Sequence, residues 1–417
     1  VRQEDPLGAS TSFAYDVLGR QTSVTNALGE TSAAQFDSLG RLVRTHSSER
    51  GIQVMTYYDD GNLKSTTDSR GITVSYTYDS LGRPTDIIYP NDDDIHFEYD
   101  DMTHNAIGKL STVTQGQDGI AYFYDPQHGR TTRTEQTIDG TSYSILYEYN
   151  DAGLLAKMTL PNGLETEYEY DSMKRPVRLH GSALGGEITT SYTARGKTSI
   201  ITYPNGVQTS YAYNDNNLVS AISTSSAQDE LFAETYVYDD GALTKGEITQ
   251  IFSGMNQASP GDDEGLSLVG QYTYDALGRL RTADYSPLGS LCGVWAACSD
   301  QTYSYDALGN MLDLNGMTMH YENPASASIL SSDETYEYRY DSQGNMVAKK
   351  KTFSGLETTY IYNDAGKLTK VVFPGGRQIA YRYDPNGRRV QTIEPKVKTN
   401  YVYDSVGQMI YQESMPR

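Results

Sequence analysis

One short pattern recurs along this chain: aromatic, any residue, Tyr, Asp or Asn, two residues, Gly, then Arg, Lys or Asn. Clear copies lie at 13–20, 76–83, 147–153, 272–279, 303–310, 338–345, 360–367, 381–388 and 401–408. Weaker copies at Phe36-Asp37, Tyr58-Asp59, Tyr99-Asp100, Tyr124-Asp125, Tyr170-Asp171, Tyr213-Asn214 and Tyr238-Asp239 fill the gaps, with degenerate versions near Thr193 and Tyr321. Successive acid positions are mostly 19 to 25 residues apart. A fixed period in that range means one supersecondary unit stacked many times.

The unit predicts a β-hairpin. Tyr-x-Tyr alternation puts both rings on one face of an extended strand, and Tyr is a strong strand former. Asp or Asn followed by Gly is turn chemistry, because the short side chain caps local amides and Gly accepts positive φ. A second alternating run follows, such as Arg41-Leu42-Val43-Arg44-Thr45. Then a second turn, as in Leu160-Pro161-Asn162-Gly163, Tyr203-Pro204-Asn205-Gly206 or Phe373-Pro374-Gly375-Gly376, returns the chain to the next Tyr strand. A lone hairpin cannot bury its own face, so neighbours must pair edge to edge. The expected fold is all-β, repeated β-hairpins in a long spiralling antiparallel sheet. It is read as one continuous array over 1–417, with irregular insertions at about 246–270 and 285–301.

Composition agrees with this. The chain has 417 residues, and its 37% hydrophobic content includes 36 tyrosines. Replacing tyrosine by glycine in that sum leaves it near 37%, below the roughly 45–50% of ordinary domains, so a thick aliphatic core is not expected. Net charge is -21, and no strong local basic patch stands out, so nucleic acid is not an expected partner. No run of 18 apolar residues predicts a membrane-spanning helix.

Catalytic motifs fail on inspection. Gly196-Lys197-Thr198 resembles the end of a phosphate loop, but Ser191 stands where the first Gly is required. The six histidines never adopt paired ligand spacing. The densest acidic run, with Asp92, Asp94 and Glu98, offers a calcium candidate, weighed against a solvated loop because it lacks the EF-hand Gly and Glu. Carboxylates are too numerous for any pair to single out a glycosidase, although Tyr, His and Arg on such a sheet could serve a polysaccharide lyase. Binding residues are expected in the two irregular stretches, since loops on a rigid scaffold collect them. The second holds the only tryptophan, Trp295, between Cys292 and Cys298, where a local disulfide is expected; Tyr285 and Tyr303 flank it as further ligand candidates.

The unit resembles the YD repeat of Rhs proteins, of the B and C components of bacterial Tc toxins and of teneurins. Tyr76-Thr77-Tyr78-Asp79-Ser80-Leu81-Gly82-Arg83 and the matching run at 272–279 are close to that consensus, and the resemblance covers nearly the whole chain. It implies a secreted or surface-exposed β-shell around a hollow interior that often holds a toxic C-terminal domain. The family's usual closing segment, with Asp-Pro-x-Gly motifs and aspartate-dependent self-cleavage, is not recognised. Asp384-Pro385-Asn386-Gly387 sits inside an ordinary repeat and reads as a turn. The chain reads as a piece of something longer.

The leading expectation is therefore a noncatalytic shell segment of a secreted bacterial Rhs-like protein that encloses or presents cargo. Its partners would be an enclosed C-terminal toxin or other shell segments, and no cofactor beyond the calcium candidate is expected. The rival is a glycan-binding module or a polysaccharide lyase or hydrolase that uses the Tyr-rich sheet. A third reading is an adhesive surface centred on the irregular loops.

Overall fold

A computed structural model describes residues 1–239, 246–254, 267–287, 300–323 and 326–417. Thirty-seven strands, from β1 (Arg2–Glu4) to β37 (Met409–Pro416), pair antiparallel, each with its neighbour in sequence, in one open sheet. A single 3-10 turn, Met102–His104, is the only helical element among the described residues.

Each hairpin is built by local chemistry. Between β8 (Thr73–Tyr78) and β9 (Pro84–Ile88), the Asp79 carboxylate accepts the backbone N–H of Leu81 at 2.9 Å and of Arg83 at 2.9 Å. Its other oxygen accepts Arg83 Nε at 2.7 Å, and Gly82 takes φ 77°, closing the turn without a Cβ penalty. The Arg–Asp staple repeats at Asp16, Asp37, Asp171, Asp275 and Asp384.

The last aromatic of the unit marks a β-bulge. Thr77 faces Asp86, but Tyr78 faces Pro84, so the register slips by one residue at the tyrosine. A bulge disrupts the ladder locally and leaves backbone groups needing partners. The tyrosine of the following repeat supplies one: Tyr99 donates its hydroxyl to the Pro84 carbonyl at 3.0 Å. Among the described residues the same bond to the residue opposite the preceding bulge occurs thirteen times, including Tyr57 to Leu42, Tyr192 to Pro176 and Tyr403 to Arg389. The stapled arginine then lies over that same ring, Arg83 at 4.3 Å from the centre of Tyr99 and Arg41 at 4.8 Å from that of Tyr57. Tyrosine thus fastens a repeat to the one before by a hydrogen bond, joined at Tyr57, Tyr99, Tyr124, Tyr149, Tyr192 and Tyr403 by a cation–π contact worth roughly 0.5–1 kcal/mol at an exposed site.

The sheet is a thin wall. It exposes 24006 Å², against about 16,000 Å² for a compact monomer of this mass. Ladder pairing continues into the stretches read as irregular, with β23 (Ile248–Gly254), β24 (Ser267–Tyr274) and β25 (Leu280–Pro287) all in register with their neighbours.

Candidate functional site

The larger of the two buried apolar clusters lies where the sheet meets itself. Strand twist curls the meander until its last third lies beside its first. Polar contacts between the two windings join residues 243 to 298 apart in sequence. Hairpins turn alternately at two rims, the Asp-Gly turns at one and the second turns at the other. The second-turn rim of the first winding rests on the Asp-Gly rim of the later one.

Along this seam the residues meet in order. Glu30 accepts the Ala327 N–H at 2.7 Å and the Ser326 hydroxyl at 2.8 Å. Burial opposes it, but these bonds and those from Asn26 and Ser328 hold the Glu30 carboxyl below the usual range. Ser69 donates to the Ser342 carbonyl at 2.6 Å, and Arg70 reaches the Asp364 carbonyl at 2.8 Å. Asn91 donates its N–H to Asp364 at 2.7 Å, while Asp92 accepts the Asp364 N–H at 2.7 Å. Arg382 bridges Asp118 at 2.8 Å and Asp139 at 2.7 Å; Lys398 also pairs with Asp139.

Beyond these bridges the seam turns apolar. Ile138, Tyr143, Ile145, Tyr147 and Met158 of the first winding pack with Val390 and Val402 of the later one, and Ile138, Ile145, Val390 and Val402 have no exposed surface. Buried Gln391 donates to Asn400 at 2.8 Å, Asn400 donates to Tyr143 Oη at 2.8 Å, and Tyr143 donates to Glu413 at 2.8 Å. Burial pushes the Tyr143 hydroxyl up to about 12. Desolvation likewise raises the carboxyls of Asp118, against the Asp139 N–H and Arg382, and of Asp92, against the Asp364 N–H.

Toward the Glu30 end the windings part around a cavity of about 960 Å³, lined by Arg50, Arg70, Tyr321, Tyr340, Asn345 and Asp364 among others. Its lining is mostly polar, and Arg70 is tied to Asp68 at 2.7 Å.

The residues singled out from sequence sit elsewhere. Trp295, Cys292 and Cys298 lie outside the described residues. Tyr285 contributes its backbone to β25, opposite Gly270, and its side chain lies outside the description. Tyr303, half-buried in β26 (Gln301–Tyr305), bonds its own neighbour Gln301. The three carboxylates of the calcium candidate have separate partners: Asp92 the Asp364 amide, Asp94 the Tyr89 amide, Glu98 the Thr112 hydroxyl. Among the described residues no three His, Cys, Asp or Glu side chains gather as a metal site would require. Sequence reasoning missed Asp118, Asp139, Arg382, Gln391 and Asn400. The available signal was weak: Gln391 and Asn400 are polar residues inside strands.

A repeat-built, single-layer β-wall whose windings join through turns is a shell or scaffold protein. Repeats of the YD/Rhs type run through the chain: the Teneurin YD-shell model matches residues 264–415, and the RHS Repeat model matches 1–31, 57–94 and 149–187. The double-stranded DNA deaminase toxin A of Burkholderia cenocepacia is 29% identical over 148 residues, covering 33% of this chain and 10% of that protein. Human Teneurin-4 is 20% identical over 468 residues, covering 90% of this chain and 16% of its own length. Among solved structures, the Tc holotoxin pore of Photorhabdus luminescens superposes with a TM-score of 0.77 at 17% identity, over 96% of this chain and 23% of that one. The chain thus spans a small part of its relatives' length. Among the described residues no helix is long and apolar enough to cross a membrane.

Proposed function

We propose that this chain is a noncatalytic wall segment of a secreted, toxin-associated bacterial protein, enclosing or presenting a polypeptide cargo. The observation that carries this reading is the seam, where two windings join through a buried apolar cluster and a polar ladder. A continuous wall is what containment demands, and a single-layer sheet spends little chain per unit of area enclosed. The likeness to a toxin from Burkholderia and to a Tc holotoxin supports a toxin component as the contained partner. Electron microscopy of the full-length protein, with limited proteolysis of its contents, tests it. A hollow particle with protected contents is expected. A compact solid particle, or contents digested as fast as when free, would sink the reading.

A second reading, polysaccharide binding or cleavage, rests on the polar seam cavity with Tyr321 and Tyr340 in its lining. Incubation with acidic and neutral polysaccharides should then give retention or new chain ends; neither across the panel removes this reading.

A further inference from the structure

The chain's charge is divided unevenly. Residues 346–400 hold eleven lysines and arginines against four aspartates and glutamates, a net of +7 in a chain of -21. The expectation that no basic patch exists does not hold for this segment.

The fold decides which of these cations are available. Lys350 pairs with Glu337, Arg388 with Asp384, and Arg382 and Lys398 belong to the seam. Lys351, Arg377 and Lys396 are exposed, and they stand at three successive second turns of the later winding. That rim makes none of the contacts between windings described above. Beside Lys351 the turn lifts Phe353, 91% exposed, and Leu356, 55% exposed. Exposed carboxylates stand there too, Glu334 and Glu394 on the rim and Glu337 beside it, the last paired with Lys350.

The seam shows what such rims bind. There the second turns of the first winding reach across with carboxylates, Glu30, Asp92, Asp118 and Asp139, onto cations and N–H groups. On the later winding the equivalent turns carry cations. We infer that the rim formed by Lys351, Phe353, Arg377 and Lys396 is a docking surface for an acidic polypeptide edge. The cations take its carboxylates, and Phe353 anchors in an apolar recess of the partner. Successive tips are two strands apart, about 10 Å. That matches carboxylates borne on hairpin tips at the same period. A nucleic acid, with a phosphate every ~1.7 Å of duplex, matches it poorly and meets the repulsion of the whole acidic chain. An exposed aromatic flanked by cations is also the composition of an interface hot spot.

The test uses the whole chain at low ionic strength with three probes: poly-L-glutamate, a glutamate–tyrosine copolymer and a single-stranded oligonucleotide. Both polypeptides should bind, the copolymer more tightly. The triple variant K351E/R377E/K396E should lose at least tenfold in affinity for both. The triple variant K174E/R195E/K197E makes the same charge change at exposed positions elsewhere and should keep its affinity to within the general field effect of a few-fold. Phe353→Ala should abolish the preference for the copolymer while leaving poly-L-glutamate binding intact. K351Q/R377Q/K396Q, which adds no new charge, should reproduce the loss with an unchanged thermal transition. Equal losses in the two reversal variants, retained binding in the glutamine variant, or tighter binding of the oligonucleotide would overturn the proposal.

Discussion

Arg382 and Asp118, 264 residues apart in sequence, form an ion pair at 2.8 Å that joins the two windings of the sheet. Asp118 is 5% exposed, so its carboxylate has lost most of its water, and desolvation raises its carboxyl. Removing the cation strands a desolvated charge. Arg382→Ala is expected to destabilise by about 2–3 kcal/mol, below the 3–5 of a fully buried pair because the guanidinium is partly wet. Asp118→Asn should cost less, since the neutral amide needs no cation. Denaturant unfolding measures both, and amide exchange over β12 (Asp118–Tyr124) and β34 (Gln378–Tyr383) should quicken first in Arg382→Ala. Equal costs would contradict the desolvation argument.

The Asp staple should matter more at the seam than away from it. Asp79→Ala removes two accepted backbone bonds and the arginine pair on a partly exposed turn, for roughly 1–2 kcal/mol. Asp384 makes the same bonds to Arg388 but is 3% exposed, so Asp384→Ala should cost clearly more by the same denaturation assay.

Tyrosine hydroxyls on the same strand should be unequal. Tyr124 donates to the Leu110 carbonyl at 2.8 Å, beside a bulge, whereas Tyr122 has only a 3.4 Å contact from Asn386. Tyr124→Phe is expected to lose about 1 kcal/mol and Tyr122→Phe less than about 0.5. Thermal melts of the two variants side by side check this, and matching values would remove the bulge-pairing role.

Glycine at the seam has a double constraint. Gly51 has φ +66°, and a Cβ there would lie 2.7 Å from Ser69 Cβ and 3.2 Å from the Ser342 carbonyl. Gly61 has φ +96° with nothing within 4 Å. Gly61→Ala should therefore cost the backbone strain alone, about 1–2 kcal/mol. Gly51→Ala should cost more and open the seam, read out as faster amide exchange at Ser342.

Acid should attack the turns and, at the seam, Glu30 and Asp139, whose carboxyls are held low, while sparing Asp92 and Asp118. The N–H groups of His128, Arg130 and Gln127 bring Asp125 down to about 2, against desolvation, from an ordinary 3.8. Its contribution is present above 3.8 and is lost as pH falls through about 2. Asp92 and Asp118 are shifted upward, so theirs is complete below 3.8 and fades as pH rises through their raised values. Unfolding followed by circular dichroism should set in as pH falls below 4.5, the ordinary value of Glu30, and loss of the Asp92 or Asp118 contacts on acidification before the Asp125 turn opens would contradict the assignment. At the alkaline end Tyr143 stabilises below 10.0, and that stability is lost as pH rises through about 12.

Much of this architecture was legible without coordinates because its causes are local. Tyr-x-Tyr alternation, the Asp–Gly turn and its arginine all act within a few residues, so the hairpins and the all-β sheet followed from Tyr76-Thr77-Tyr78-Asp79 and its copies. The tyrosines were legible as strand formers, yet the specific bond from Tyr99 to Pro84 depends on a bulge that no spacing announces. Of the binding candidates chosen from irregularity, Tyr303 bonds Gln301 in its own strand, and Trp295 lies outside the described residues.

The sequence by itself determined the repeat, the hairpin, the alternation of rims and the uneven distribution of charge. Only the tertiary structure decided which rim is covered and which is open. That Asp118 meets Arg382, or that Lys396 meets no carboxylate across a seam, depends on twist summed over many strands. Each strand contributes a small rotation, so the residues brought together a whole winding later are fixed by the accumulated curvature and by no local motif.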